Sequence, residues 1–161
     1  MDVKNTININ EPCNIDFEVE RTPVRLGKSN RYFYIDFNDF NFPSRLDKAR
    51  KEIISFLNKY KDLTTKKLSA DESIKLIDDV DKNIRSAINN AFGYDVCSDV
   101  FGIASVISVN KNGECYYEMF FNSLLPLVEK QYNVRIDKLS TRTRSYLAQK
   151  GKYSNNNQLH R

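Results

Sequence analysis

Hydrophobic and polar positions change period several times along this chain, and each change marks an element. Ile15, Phe17 and Val19 alternate with Asp16, Glu18 and Glu20, the period of a half-buried strand. Arg21 to Asn30 is rich in turn formers, and residues 31–37, Arg-Tyr-Phe-Tyr-Ile-Asp-Phe, are aromatic and β-prone. Together they predict an antiparallel pair with a connection of about ten residues. Two strands alone are marginal, so this pair needs a body to pack on.

Helical periods supply that body. After a break at Asn38–Pro43, Ser44 reads as the cap of a first helix, with Asp47 in its first turn. Leu46, Ala49, Ile53, Leu57 and Tyr60 form its apolar face. Ser69-Ala70-Asp71-Glu72 is a capping-box pattern opening a second helix. Ile74, Ile77, Ile84, Ile88 and Ala91 mark its buried face, and Asp78, Asp79, Asp81 and Lys82 its wet one. Gly93 stops it. A short amphipathic piece, Tyr94 to Phe101, ends at a second Phe-Gly pair. Residues 103–109 fit a strand or a packed loop, and Lys111-Asn112-Gly113 is a turn. Glu114 to Tyr132 is long and apolar enough for a third major helix, with Pro126 predicting a kink or broken turn. Arg135 to Gln149 has a weak helical stripe, and Gly151 to Arg161 reads as disordered.

These elements predict an α+β fold: an N-terminal antiparallel β pair beside a mainly α-helical body. The expected organisation is a single domain over 1–133, β-rich in 1–43 and helical in 44–133. A basic, flexible and partly disordered C-terminal segment follows over 134–161.

Charge sharpens this division. Residues 130–161 hold eight Lys/Arg and one acid, Asp137, a net of +7; the first 129 residues hold 17 bases and 20 acids, a net of −3. The basic end offers Arg135, Lys138, Arg142 and Arg144, with Tyr146, to phosphates and bases. Diluted by Thr, Ser and Asn, it fits a solvated tail or one that meets an acidic protein better.

Catalytic material is scarce. The one histidine, His160, is next to last, which leaves acid–base and nucleophilic schemes without their usual base. Cys13, Cys97 and Cys115 are far apart and form no ligand pattern; Cys97 is expected to pack as a small apolar residue. The five glycines build no phosphate loop, and Asp78 and Asp81 read as a solvated helix face. The expectation is a non-enzymatic chain with no catalytic, cofactor-binding or metal-ligating residues. No run of about 18 apolar residues spans a membrane, and Met1-Asp2-Val3-Lys4-Asn5 lacks a signal-peptide layout, so a cytoplasmic location is expected.

The run Cys115-Tyr116-Tyr117-Glu118-Met119-Phe120-Phe121 is apolar nearly all round. It fits a central helix buried on both sides, or an exposed aromatic patch that binds another chain.

Three stretches carry a family likeness: Ile88-Asn89-Asn90-Ala91-Phe92-Gly93, then Val100-Phe101-Gly102, then Phe121-x-x-Leu124-Leu125-x-Leu127-Val128-Glu129. With the basic Arg/Lys/Thr/Tyr end, this order resembles the small tail assembly chaperones of long-tailed phages and prophages of Gram-positive bacteria. The resemblance implies a role in the bacterial host's cytoplasm: coating the hydrophobic tape-measure protein that fixes tail length until tail-tube subunits replace the chaperone. It makes Phe92, Gly93, Val100, Phe101 and Gly102 the motif residues. The candidate partner-binding residues are Tyr116, Tyr117, Phe120, Phe121, Leu124, Arg135, Arg142 and Arg144. The partner is then the tape-measure protein or another phage tail protein, with self-association a further option, no membrane and nucleic acid disfavoured. The alternatives are a structural phage or prophage particle protein, and a small nucleic-acid-binding regulator that uses the basic segment.

Overall fold

The computed structural model describes residues 15–61 and 66–156. Its order is β1 (Thr22–Arg25), β2 (Tyr32–Ile35), α1 (Phe42–Tyr60), α2 (Ala70–Phe92), α3 (Val96–Phe101) and α4 (Tyr116–Asn156). The fold is α+β: a two-stranded antiparallel sheet beside a mainly helical body.

The hairpin is tighter and later than the alternation predicts. Ile15, Phe17 and Val19 are exposed and belong to no strand. β1 lies instead within the stretch read as turn, in register with β2 through Thr22↔Ile35, Pro23↔Tyr34, Val24↔Phe33 and Arg25↔Tyr32. Alternation becomes a strand only where a paired strand and a core face exist. Here that face is set by Phe33 and Ile35, both buried. The free edges are blunted. Opposite Tyr34, Pro23 has no N–H to offer a further strand. On the other side the Tyr94 hydroxyl accepts from the Tyr34 N–H at 2.8 Å and donates to its carbonyl at 3.2 Å.

α1 begins two residues before Ser44. Asn41 is its N-cap, without a side-chain cap bond, and Pro43 sits in the first turn, where its missing N–H costs nothing. Asp47 is therefore not in that turn, and no acid is. The apolar face is as expected: Leu46, Ala49 and Ile53 are buried, Leu57 and Tyr60 partly so. α2 opens with the full capping box between Ser69 and Glu72. Its buried face is Val80, Ile84, Ala87, Ile88, Ala91 and Phe92, whereas Ile74 and Ile77 are exposed and Leu76 is the residue of that turn that packs against the core. Gly93 ends α2 at φ 74°. A Cβ there meets nothing within 4 Å, so Gly93→Ala carries only the left-handed backbone cost. It should lower unfolding free energy by about 1 kcal/mol in a denaturant titration.

Residues 103–109 form a packed loop, closed by a single bridge between Val109 and Cys115. α4 then runs 41 residues without interruption through Pro126. Proline removes the donor to the Asn122 carbonyl, but Asn122 is exposed, so water can take its place. The helix also continues across residues 133 and 134 and through Gly151, so the basic segment is helical to Asn156 rather than disordered from Gly151. The readings at residues 1–14 and 157–161 fall outside the described residues.

One core joins the hairpin and all four helices. Phe120 is an aromatic hub, with ring centroids 5.6 Å from both Phe33 and Phe101 and 6.1 Å from Phe92. At the far end the Tyr132 hydroxyl donates to the Asp39 carbonyl at 2.6 Å, tying α4 to the entrance of α1. Burial, helped by the nearby Asp39 and Asp36 charges, pushes the Tyr132 phenol up to about 12.

Candidate functional site

A polar ladder on α2 positions everything that follows it. Asp81, Arg85 and Asn89 stand at i, i+4 and i+8, on one side of the helix. Asp81 accepts from the Ser105 hydroxyl at 2.8 Å and the Val106 N–H at 2.7 Å. It also pairs with Arg85 at 2.8 Å. Burial works against its ionisation, yet these donors outweigh it and hold the carboxyl below its usual range. Arg85 reaches on to the Gly102 and Ala104 carbonyls. Asn89 accepts from the Cys97 N–H at 3.0 Å and donates to Asp95 at 2.8 Å, and Asp95 caps α3. So α3 and the loop after it are stapled to α2 through a stripe that the sequence presents as solvated. Cys97 is fully buried there, and burial pushes its thiol up to about 12.

Both Phe-Gly pairs mark helix ends. Phe92 and Phe101 are the last residues of α2 and α3, buried against Phe120, and Gly93 and Gly102 follow at φ 74° and 59°. An aromatic anchor followed by a positive-φ glycine is an economical way to stop a helix and turn the chain.

The stapled loop is one wall of an open apolar groove of about 590 Å³. The hairpin contributes Val24, Leu26 and Phe33; α3 and the loop contribute Val100, Phe101 and Ala104. α4 contributes Tyr116, Met119, Phe120, Ser123, Leu124 and Leu127. Its charged lining is Arg25 and Arg31, both from the hairpin, and the Arg31 guanidinium is anchored on the Asp99 carbonyl. The size matches sites that take a few large side chains.

Of the candidate partner-binding residues, Tyr116, Phe120 and Leu124 meet in this groove with Val100 and Phe101. Tyr117 and Phe121 do not. They face the opposite side of α4 and line a smaller hollow with Arg50, Ile53, Ile54 and Leu57. Arg135 lies against the Phe37 ring, 5.3 Å from its centroid, and bonds Asn38. Arg142 and Arg144 are exposed further along α4, with Arg144 donating to Ser140 at 3.1 Å. The aromatic run thus splits by side of α4: Tyr116, Met119 and the buried Phe120 border the groove, and Tyr117 and the buried Phe121 face the other hollow. Val24, Arg25 and Leu26 were hidden from sequence reading by the misplaced strand. Pro23 on an edge and Gly27 in the hairpin loop were the available signals.

Among the described residues no three His, Cys, Asp or Glu side chains converge on a possible metal position, and no helix is long and apolar enough to cross a membrane. No family model, curated protein or solved structure matches the chain.

Proposed function

We propose that this chain is a binding protein of the tail assembly chaperone type, which receives apolar stretches of a tape-measure protein in the groove between the hairpin, α3 and α4. The observation that supports the reading is the groove itself. It is an apolar concavity open to solvent, and it gathers Val100 and Phe101 of the second Phe-Gly motif and the first turns of α4 into one surface. Surface apolar concavities of this extent mark sites of protein contact or ligand entry. A chaperone needs such a surface without a locked interface, and the wall formed by residues 102–106 is fixed independently of any partner.

The test is co-expression with the tape-measure protein of the same gene cluster. Wild type should keep that protein in the soluble fraction. Met119→Lys/Ser123→Lys places two charges in the groove at exposed positions, where fold stability changes by no more than about 1 kcal/mol. It should release the tape-measure protein to the pellet while itself remaining soluble. Equal solubility of the partner with wild type, with this variant and with neither would refute the proposal.

A further inference from the structure

Beyond Asp39 and Tyr132, α4 leaves the body. From Ile136 to Ser145 every side chain but Ser140 is exposed, and the helix continues to Asn156. A free-standing helix of this length, rich in Ser, Thr and Asn, is marginal in water unless one face is covered. Within residues 136–145 two apolar residues stand on it, Ile136 at 51% and Leu139 at 50% exposure. Leu139 is flanked on its own face by Arg135 at i−4 and Arg142 at i+3, with Lys138 beside it.

The start of α2 carries the opposite pattern. Ile74 is 64% exposed and Ile77 52%. Ile74 is flanked on its own face by Asp71 at i−3 and Asp78 at i+4, with Glu72 and Asp79 adjacent. Laid antiparallel with Leu139 on Ile74, the two helices bring Ile136 onto Ile77, Arg142 onto Asp71 and Arg135 onto Asp78. Apolar meets apolar and each arginine meets an acid, while Lys138 falls opposite Lys75 at the margin of the contact. Asp78 already holds Lys82 at 2.5 Å, but that pair is exposed and so contributes little to resist exchange. Arg135 leans on Phe37 and Gln131, and Arg142 is exposed to solvent.

One copy cannot make this contact with itself. Ile77 lines a hollow with Leu57, Tyr60 and Tyr117, at the end of α1 and the start of α4. Tyr132 anchors α4 at the other end of α1, and the arm projects onward from there. Tyr117 and Leu139 lie 22 residues apart on the continuous α4, so the two patches are separated by about 33 Å along that helix. We propose that the arm of one copy docks on the start of α2 of a second copy, producing head-to-tail association. Such a contact is heterologous, so it builds rings or open chains rather than closed twofold dimers. It does not rest on the chaperone reading, since neither patch is part of the groove.

The experiment is sedimentation of the full chain at protein concentrations up to about 100 µM, in about 50 mM and about 500 mM salt. Wild type should associate at low salt and fall towards monomer at high salt. An arm variant, Arg135→Glu/Arg142→Glu, and an α2 variant, Asp71→Lys/Asp78→Lys, should each be monomeric alone, because like charges then face each other. Mixed in equal amounts they should associate again. Leu139→Asp should remove association from the apolar side, and far-UV circular dichroism checks that each variant is folded. A monomeric wild type at low salt overturns the proposal, as does association of either variant alone or a mixture that stays monomeric. Binding of duplex DNA by a wild type that remains monomeric also overturns it, and would assign the arm to nucleic acid.

Discussion

Phe120→Ala should lower the unfolding free energy by about 3–5 kcal/mol, the range for removing a buried aromatic from a packed core. For a chain of this length that is a drop in melting temperature on the order of 10 °C or more. The expectation follows from position. Phe120 is buried and touches Phe33 of the hairpin, Phe92 at the end of α2 and Phe101 at the end of α3. Removing the ring deprives Phe33 and Phe101 of an edge-to-face partner and Phe92 of a tilted one. The void cannot close by moving one neighbour, because Phe101 is held by the stapled loop and Phe33 by its strand pairing. Phe120→Leu, which retains much of the volume, should cost clearly less. Thermal unfolding followed by circular dichroism distinguishes the two. A Phe120→Ala protein that melts within a few degrees of wild type would show that the aromatic hub is not the centre of the core.

Asp81→Asn should be the second large loss, about 2–3 kcal/mol, and one that changes with pH. The two side chains of the Asp81–Arg85 pair are only 18% and 21% exposed. Removing the charge leaves Arg85 partly buried among carbonyls without its counterion, while the amide keeps at most part of the bonds to Ser105 and Val106. The folded state holds the Asp81 carboxyl below its usual range. Its contribution is therefore fully present above the unfolded carboxyl value and is lost as pH falls through the lower folded value. Wild type should lose stability across that acidic window, and Asp81→Asn should lose less across the same window. Parallel stability–pH curves for the two proteins would refute this role.

Local signals that rest on backbone chemistry were legible before the structure. The Ser69/Glu72 capping box and the Gly93 stop need only neighbouring residues, so their sequence patterns transfer directly into geometry. The same holds for the apolar face of α1. What was not legible depends on partners far along the chain. The strand shifted from residues 15–19 to Thr22–Arg25 because register answers to the core face of β2, which periodicity alone does not reveal. With that shift went one wall of the groove, since Val24 and Leu26 lay in residues read as turn. Asp81, Arg85 and Asn89 look like any wet helix stripe; a polar stripe facing a loop has the same period as one facing water. A helix over Arg135 to Gln149 was legible only as a weak stripe, and its continuity with the helix before it was not, because this half of α4 leaves the body and has little apolar pattern to announce it.

The most direct test of the groove is site-specific photo-crosslinking in cells that also make the tape-measure protein. A crosslinking residue at Ser123, on the groove wall, should capture the tape-measure protein, and one at Lys59, an exposed position on α1 outside the groove lining, should not. Capture from Lys59 with none from Ser123 would contradict the account.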